Sequence, residues 1–137
     1  MTAAPDGFPR ELPIVDVLDD LRAALRDRRR AIVVAPPGAG KTTVVPLALL
    51  DEDWLGDAHG GGRIVMLEPR RLATRAAAQR MAATTRTRLG DLIGYQTRDE
   101  RHIVPHARIE VVTEGVLTRR LQHDPELPGV AAVIFDE

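Results

Sequence analysis

AIVVAPPGAGKTT, residues 31–43, is the stretch on which the reading of the fold turns. Ala31 to Ala35 form an unbroken apolar run, the length of a parallel strand buried on both faces, and Pro36 and Pro37 stop it. Lys41 to Leu50 then resumes a helical pattern, with Pro46 tolerated near its first turns. Between them, Gly38 and Gly40 let backbone N–H groups curl around an anion where a Cβ would block the approach. The helix start adds its dipole and its free donors. Strand, glycine loop and helix in this order make the P-loop (Walker A) layout. There Lys41 reaches the β- and γ-phosphates of a nucleotide and the Thr42 hydroxyl binds Mg²⁺. Ala35 stands where that pattern ordinarily has its first glycine. Nucleotide contacts are therefore expected from Pro37, Gly38, Ala39, Gly40, Lys41, Thr42 and Thr43. The plainer reading is a structural glycine turn beside an exposed lysine. Against it stands the composition: Lys41 is the one lysine in a chain with 18 arginines. Where charge alone suffices this sequence uses Arg, so a position that keeps the compact ammonium calls for its particular shape and reach.

Outward from this stretch, strands and helices alternate. Ile14, Val17, Leu18, Leu21 and Leu25 fall at helical spacing and predict an amphipathic helix from Pro13 to about Arg26. Arg28 to Arg30 follow as a solvated basic turn. The four glycines between Asp51 and Gly62 mark a loop, and RIVMLE, Arg63 to Glu68, is a second buried strand broken by Pro69. An Ala-rich helix is expected from Leu72 to about Thr85, a short strand over Leu92 to Thr97, and a firmer one over Arg108 to Thr113. Gly115 to His123 reads as a helix ended by Asp124 and Pro125, and Val130 to Phe135 as an apolar strand. The alternation predicts an α/β fold: a mostly parallel sheet with helices on both faces. Residues 1–11, with Pro5, Gly7 and Pro9, read as a loose tail. A last strand followed by Asp136 and Glu137, with no closing helix, leads us to expect a fragment of a longer chain.

Composition narrows the function classes. At 137 residues there is room for one domain, and 44% hydrophobic with 28% charged residues is ordinary for a globular one. Without cysteine there is no disulfide, thiolate metal site or cysteine nucleophile. No apolar run approaches the roughly 20 residues that span a bilayer, and no signal-peptide pattern opens the chain. A cytoplasmic protein without membrane contact is the expectation. The net charge of −1 gives no whole-chain hint of a nucleic-acid partner, so any such surface must be local.

Three further groups carry candidate chemistry. Asp136 and Glu137 end an apolar strand, where a P-loop needs acidic partners: Asp136 to hold Mg²⁺ with Thr42, Glu137 to activate the attacking water. With Lys41 they form the expected catalytic set. Pro69, Arg70 and Arg71 follow the second strand directly, at the end of a parallel sheet where ligands bind, and suit nucleic-acid phosphates. A solvated helix face is the plainer account of the two arginines. Thr113, Glu114 and Gly115 end another strand and open a helix whose N–H groups suit a phosphate; simple helix capping is the plainer account. His102 and His106 lie four apart, but Pro105 denies them a helix, and no metal site is expected there. Phe8, Trp54, Tyr95 and Phe135 are too scattered to form a base-stacking platform.

Taken together, APPGAGKTT (35–43), LEPRRLA (67–73), GYQTR (94–98), TEGVL (113–117) and FDE (135–137) resemble the successive motifs of the DEAH-box helicases. LTRRLQHDPELPGVAAVIFDE, 117–137, is similar more narrowly to the bacterial HrpB-type ATP-dependent helicases. The resemblance covers the chain from about Leu12 to its end. It implies a RecA-like P-loop NTPase domain, with 12–137 as part of the first motor domain. It implies ATP and Mg²⁺ at the P-loop, Asp136 and Glu137 as the first half of a DExH motif, and nucleic-acid backbone at Arg70, Arg71, Thr113 and Gly115. A second RecA-like domain, supplying arginine fingers in cis, would complete the machine.

The expected activity is that of an ATP-dependent helicase that couples hydrolysis to movement along a strand, with RNA favoured over DNA. This chain alone is expected to bind nucleotide with little turnover. The rivals are a small P-loop kinase, which needs an acceptor pocket, and a nucleotide- or nucleic-acid-binding module without catalysis.

Overall fold

The computed structural model describes residues 13–36, 40–56 and 61–136. The expected tail, and Pro37, Gly38, Ala39 and Glu137 among the site residues, lie outside the described residues. A 3₁₀ turn, Pro13–Val17, leads into α1 (Leu18–Arg28), and α2 spans Lys41–Ala48. Then come β1 (Arg63–Glu68), α3 (Arg71–Thr85), β2 (Ile93–Gln96), β3 (Arg101–His102), β4 (Ile109–Thr113), α4 (Glu114–His123) and β5 (Val130–Phe135). Each of these strands and helices overlaps its sequence expectation except β3, a two-residue strand the sequence did not announce.

The sheet runs β3-β2-β4-β1-β5. β1 lies parallel to both β4 and β5, and β4 parallel to β2; β3 alone is antiparallel, paired to β2 through Tyr95 with His102. The two helical crossovers run in opposite senses along the sheet. The chain passes from β1 through α3 toward the β2 side, and from β4 through α4 across β1 to β5. Right-handed crossovers in opposite directions put their helices on opposite faces, and the packing follows. Ile64, Met66, Ile93, Tyr95, Ile109 and Val111 face α1, α2 and α3 in one cluster. Val65 and Val112, one residue out of phase, meet Val116 and Leu117 of α4 in the other. The period-two alternation of β1 and β4 thus serves two cores at once.

One expectation fails. Ala31–Ala35, read as a buried parallel strand, is no strand: residues 31–36 pair with none of the five, and Ile32 and Val34 are 93% and 91% exposed. Val33 and Ala35 do pack on the larger core. The apolar run therefore has one wetted face. Among the described residues no strand lies beside it to take its N–H and C=O groups, and a strand exists only through such pairing.

Within the loop expected before β1, Asp53–Leu55 form a 3₁₀ turn and Leu55 is buried. Glu52 fastens this loop to α1: Arg26 donates to both its carboxylate oxygens, at 2.9 and 3.0 Å, and Arg22 lies 3.7 Å from it. Arg22 also donates to the Ala48 carbonyl at the end of α2. These bonds set α1 against α2 and so fix the helix that begins at Lys41. The basic run behind α1 is exposed, with Arg29 in the left-handed conformation that ends the helix.

Candidate functional site

Four parallel strands point their carboxyl ends the same way, so the segments that follow them converge on one edge. Register makes this concrete: Glu68 stands beside Thr113, and Leu67 between Val112 and Phe135. The Asp136 N–H donates to the Leu67 carbonyl at 3.2 Å, carrying the β5 ladder one residue further and fixing where the Asp136 side chain starts.

Across from it, α2 begins. Gly40 caps the helix with φ +91°, a left-handed conformation that glycine takes without strain, and its carbonyl accepts from the Val44 N–H at 2.8 Å and the Thr43 N–H at 3.3 Å. Lys41 is thereby the first helical residue, half-buried, with Thr42 and Thr43 in the same turn. The Thr42 hydroxyl donates to the Asp136 carboxylate at 3.0 Å, a bond between residues 94 apart in sequence. The two halves expected for a nucleotide site are thus in contact. A hydroxyl and a carboxylate thus converge at a helix N-terminus as hard oxygen donors, the type that Mg²⁺ takes.

The same edge carries the proposed strand-binding residues. Pro69, Arg70 and Arg71 turn the chain from β1 into α3, and all three are exposed. Arg71 is not simply solvated: its guanidinium lies 2.8 Å from the Asp99 carboxylate in the β2–β3 connection. Thr113 occupies the N-cap position of α4, yet its side chain makes no capping bond, so capping does not account for it. Gly115, in the first turn of α4, has nothing within 4 Å of where a Cβ would stand. Packing does not demand glycine there, and glycine inside a helix costs about 0.5–1 kcal/mol; what it leaves is open space above the helix N-terminus. Glu114 is exposed beside it.

A second cluster was missed. Glu110, wholly buried in β4, accepts from Arg120 at 2.7 and 2.6 Å and from Arg63 at 3.2 Å. Burial pushes its carboxyl up, and the hydrogen-bonded Arg120 guanidinium, with Arg63 beside it, more than reverses this and holds it below the ordinary range. The signal was present, since a charge inside the apolar run RIEVVT requires a partner. A cavity of about 1010 Å³ opens beside this cluster, lined by Arg63, Glu110, Arg120 and Leu127 among others. It lies toward the amino ends of the strands, away from Thr42 and Asp136. Arg63 and Arg120 already hold bonds there: Arg63 to the Ala107 and Pro105 carbonyls, Arg120 to Gln96.

The aromatic residues are dispersed, as read. Tyr95 is buried, stacked on His102 at 6.0 Å, and Phe135 is exposed; Phe8 lies outside the described residues. The His102 ring meets the Leu89 carbonyl at 3.0 Å. Among the described residues, no helix is long and apolar enough to cross a membrane.

Comparison with known proteins bears on the family and the fold. Residues 19–137 match the family model described as DEAD/DEAH box helicase. The chain is 49% identical over 128 residues to the ATP-dependent RNA helicase HrpB of Escherichia coli, covering 92% of this chain and 15% of that protein. It is 34% identical over 130 residues to the ATP-dependent RNA helicase HrpA of the same organism, covering 95% of this chain and 10% of that one. A crystal structure of the Escherichia coli DEAH/RHA helicase HrpB superposes with a TM-score of 0.84 at 48% identity, over 92% of this chain and 16% of that chain. The chain therefore spans about a seventh of the HrpB relative it matches.

Proposed function

The chain belongs to the DEAD/DEAH box helicase family, and from that premise we propose that it is the ATP-binding motor segment of an ATP-dependent helicase acting on RNA in the cytoplasm. Residues 12–137 are then part of a first RecA-like domain, residues 1–11 a tail, and a second RecA-like domain in cis completes the ATP site. The observation that carries this reading is the 3.0 Å bond between the Thr42 hydroxyl and the Asp136 carboxylate.

Pro37 to Thr43 are the residues that would bind the phosphates, with Lys41 toward the transferred group and the α2 dipole adding to the attraction. Thr42 and Asp136 would hold Mg²⁺, which would supply positive charge against that developing on the phosphates. Glu137 accepts a proton from the attacking water. Arg70 and Arg71, the Thr113 hydroxyl and the N–H groups around Gly115 grip the RNA backbone along the same edge, where phosphates fix position and carry no sequence information. Closure of the two domains around ATP and reopening after hydrolysis would ratchet the strand. An arginine supplied from outside an NTPase core contributes roughly 10³–10⁵ in rate in related systems.

The test is ATP turnover by the full-length protein with Mg²⁺, with and without oligouridylate. RNA should stimulate turnover, and Asp136→Asn should remove it while leaving the melting temperature near that of the wild type. Turnover indifferent to RNA, or a fully active Asp136→Asn variant, would overturn the reading.

A further inference from the structure

The β2–β3 connection closes on itself. The Thr97 N–H donates to the Glu100 carbonyl at 2.8 Å, and the Glu100 N–H donates to the Thr97 hydroxyl at 3.1 Å. The Tyr95 hydroxyl donates to the Glu100 carboxylate at 2.8 Å. Burial and that bond together push the Tyr95 hydroxyl above its ordinary range, so it stays protonated and able to donate. The turn is thus pinned at both ends, and its tip, Arg98 and Asp99, is presented from a fixed base. From that tip the Asp99 carboxylate meets Arg71 at 2.8 Å, while one helical turn on Arg75 faces Glu100 at 3.9 Å. The ion pair is made at Nη1 of the Arg71 guanidinium, whose side chain is 64% exposed and whose fork carries further N–H groups.

We infer that Asp99 is a positioning residue for nucleic-acid binding, tethering Arg71 so that the open edge of its fork faces the phosphate path. The inference rests on the reading of Arg71 as a backbone contact. An arginine free in water must surrender its rotamer freedom when it grips a phosphate; a tethered one has already surrendered most of it. A carboxylate near a phosphate also repels it, and across one guanidinium the two would lie inside the screening length of about 8 Å. Both side chains are well solvated, so the high local dielectric keeps that repulsion small, and the inference is that ordering outweighs it. The sequence showed LEPRRLA and GYQTR as separate motifs; in the fold the residue just after the second holds an arginine of the first.

Binding of fluorescent oligouridylate by the full-length protein, between about 50 and 200 mM salt, tests this. Arg71→Ala should weaken binding about tenfold and lower the slope of log K against log salt by about 0.7. Asp99→Ala should weaken binding about threefold with the slope unchanged, because Arg71 remains available at a higher ordering cost. Asp99→Asn, which keeps an oxygen acceptor, should recover most of that loss. In the Arg71→Ala background, Asp99→Ala should have no further effect. Tighter binding by Asp99→Ala would make Asp99 a competitor of the phosphate and overturn the inference. So would a loss that persists without Arg71. If Arg71→Ala itself leaves binding unchanged, the backbone-contact reading fails and takes this inference with it; if only the Asp99 variants are silent, that reading stands and the tether falls.

Discussion

Toward the amino ends of β1 and β4, Arg63 reaches three main-chain carbonyls and the buried Glu110, and Arg120 reaches the same carboxylate and Gln96 at the end of β2. At the carboxyl ends, Arg70 stands exposed and Arg71 meets one exposed carboxylate. The same residue type does opposite work at the two edges of one sheet. Donors occupied by protein acceptors hold elements together; donors left facing water are available to a ligand. Counting charges along the sequence does not distinguish the two cases, and the acceptors within reach do.

The comparison is most sharply broken at Glu110. Glu110→Ala leaves Arg63 and Arg120 facing each other without their shared anion. It should cost about 3 kcal/mol of stability, the low end for breaking a buried pair, since both guanidiniums keep an edge in water. Urea unfolding of wild type and variant would read this directly, and a midpoint shift near zero would deny the cluster its structural role. The sign with pH follows from its lowered carboxyl. The stabilisation is present above the ordinary glutamate value of about 4.3 and is lost as pH falls through the folded value. The gap between wild type and Glu110→Gln should therefore be constant near neutrality and close in acid.

At the other edge the expected effect is on turnover, with stability unmoved. Lys41→Arg keeps the charge but replaces the compact ammonium on a thin stem at the start of α2 with a wider planar fork. Displacing the transferred group by about 1 Å costs on the order of 10²-fold. ATP hydrolysis by the folded full-length variant at saturating RNA should fall by at least that, and near-wild-type turnover would exclude phosphate contact by Lys41.

A smaller effect sharpens the contrast. Arg70→Ala should weaken RNA binding about tenfold, equally for oligouridylate and oligoadenylate, with a shallower salt dependence and no change in melting temperature. A loss confined to one sequence would point to base contact instead.

Much of this was legible beforehand because periodicity and punctuation agreed. RIVMLE followed by Pro69, and VAAVIF followed by an acid, are strands whose ends mark the binding edge. What escaped depended on neighbours distant in sequence. AIVVA reads as a strand by composition, but pairing makes a strand, and none of the five takes it. Glu110 stood out as a charge in an apolar run, yet its partners lie 47 residues before it and ten after. Arg101–His102 is too short and polar to announce itself; it exists because Tyr95 and Gln96 offer it an edge. Lys41, Thr42 and Asp136 were assigned by motif, and only the fold brings the last two into contact.

The wetted run at Ile32 and Val34 has a colloidal consequence. Among the described strands β5 lies at the edge of the sheet, with Phe135 68% exposed, and residues 31–36, which include the β-branched Ile32, Val33 and Val34, pair with none of the five. Open backbone groups beside exposed apolar side chains make a template for another chain's strand. A net charge of −1 supplies little long-range repulsion to keep two such templates apart. At high concentration, self-association of this chain is set by that edge, and a single lysine placed at Val34 would act on it more than several charges spread over the helices.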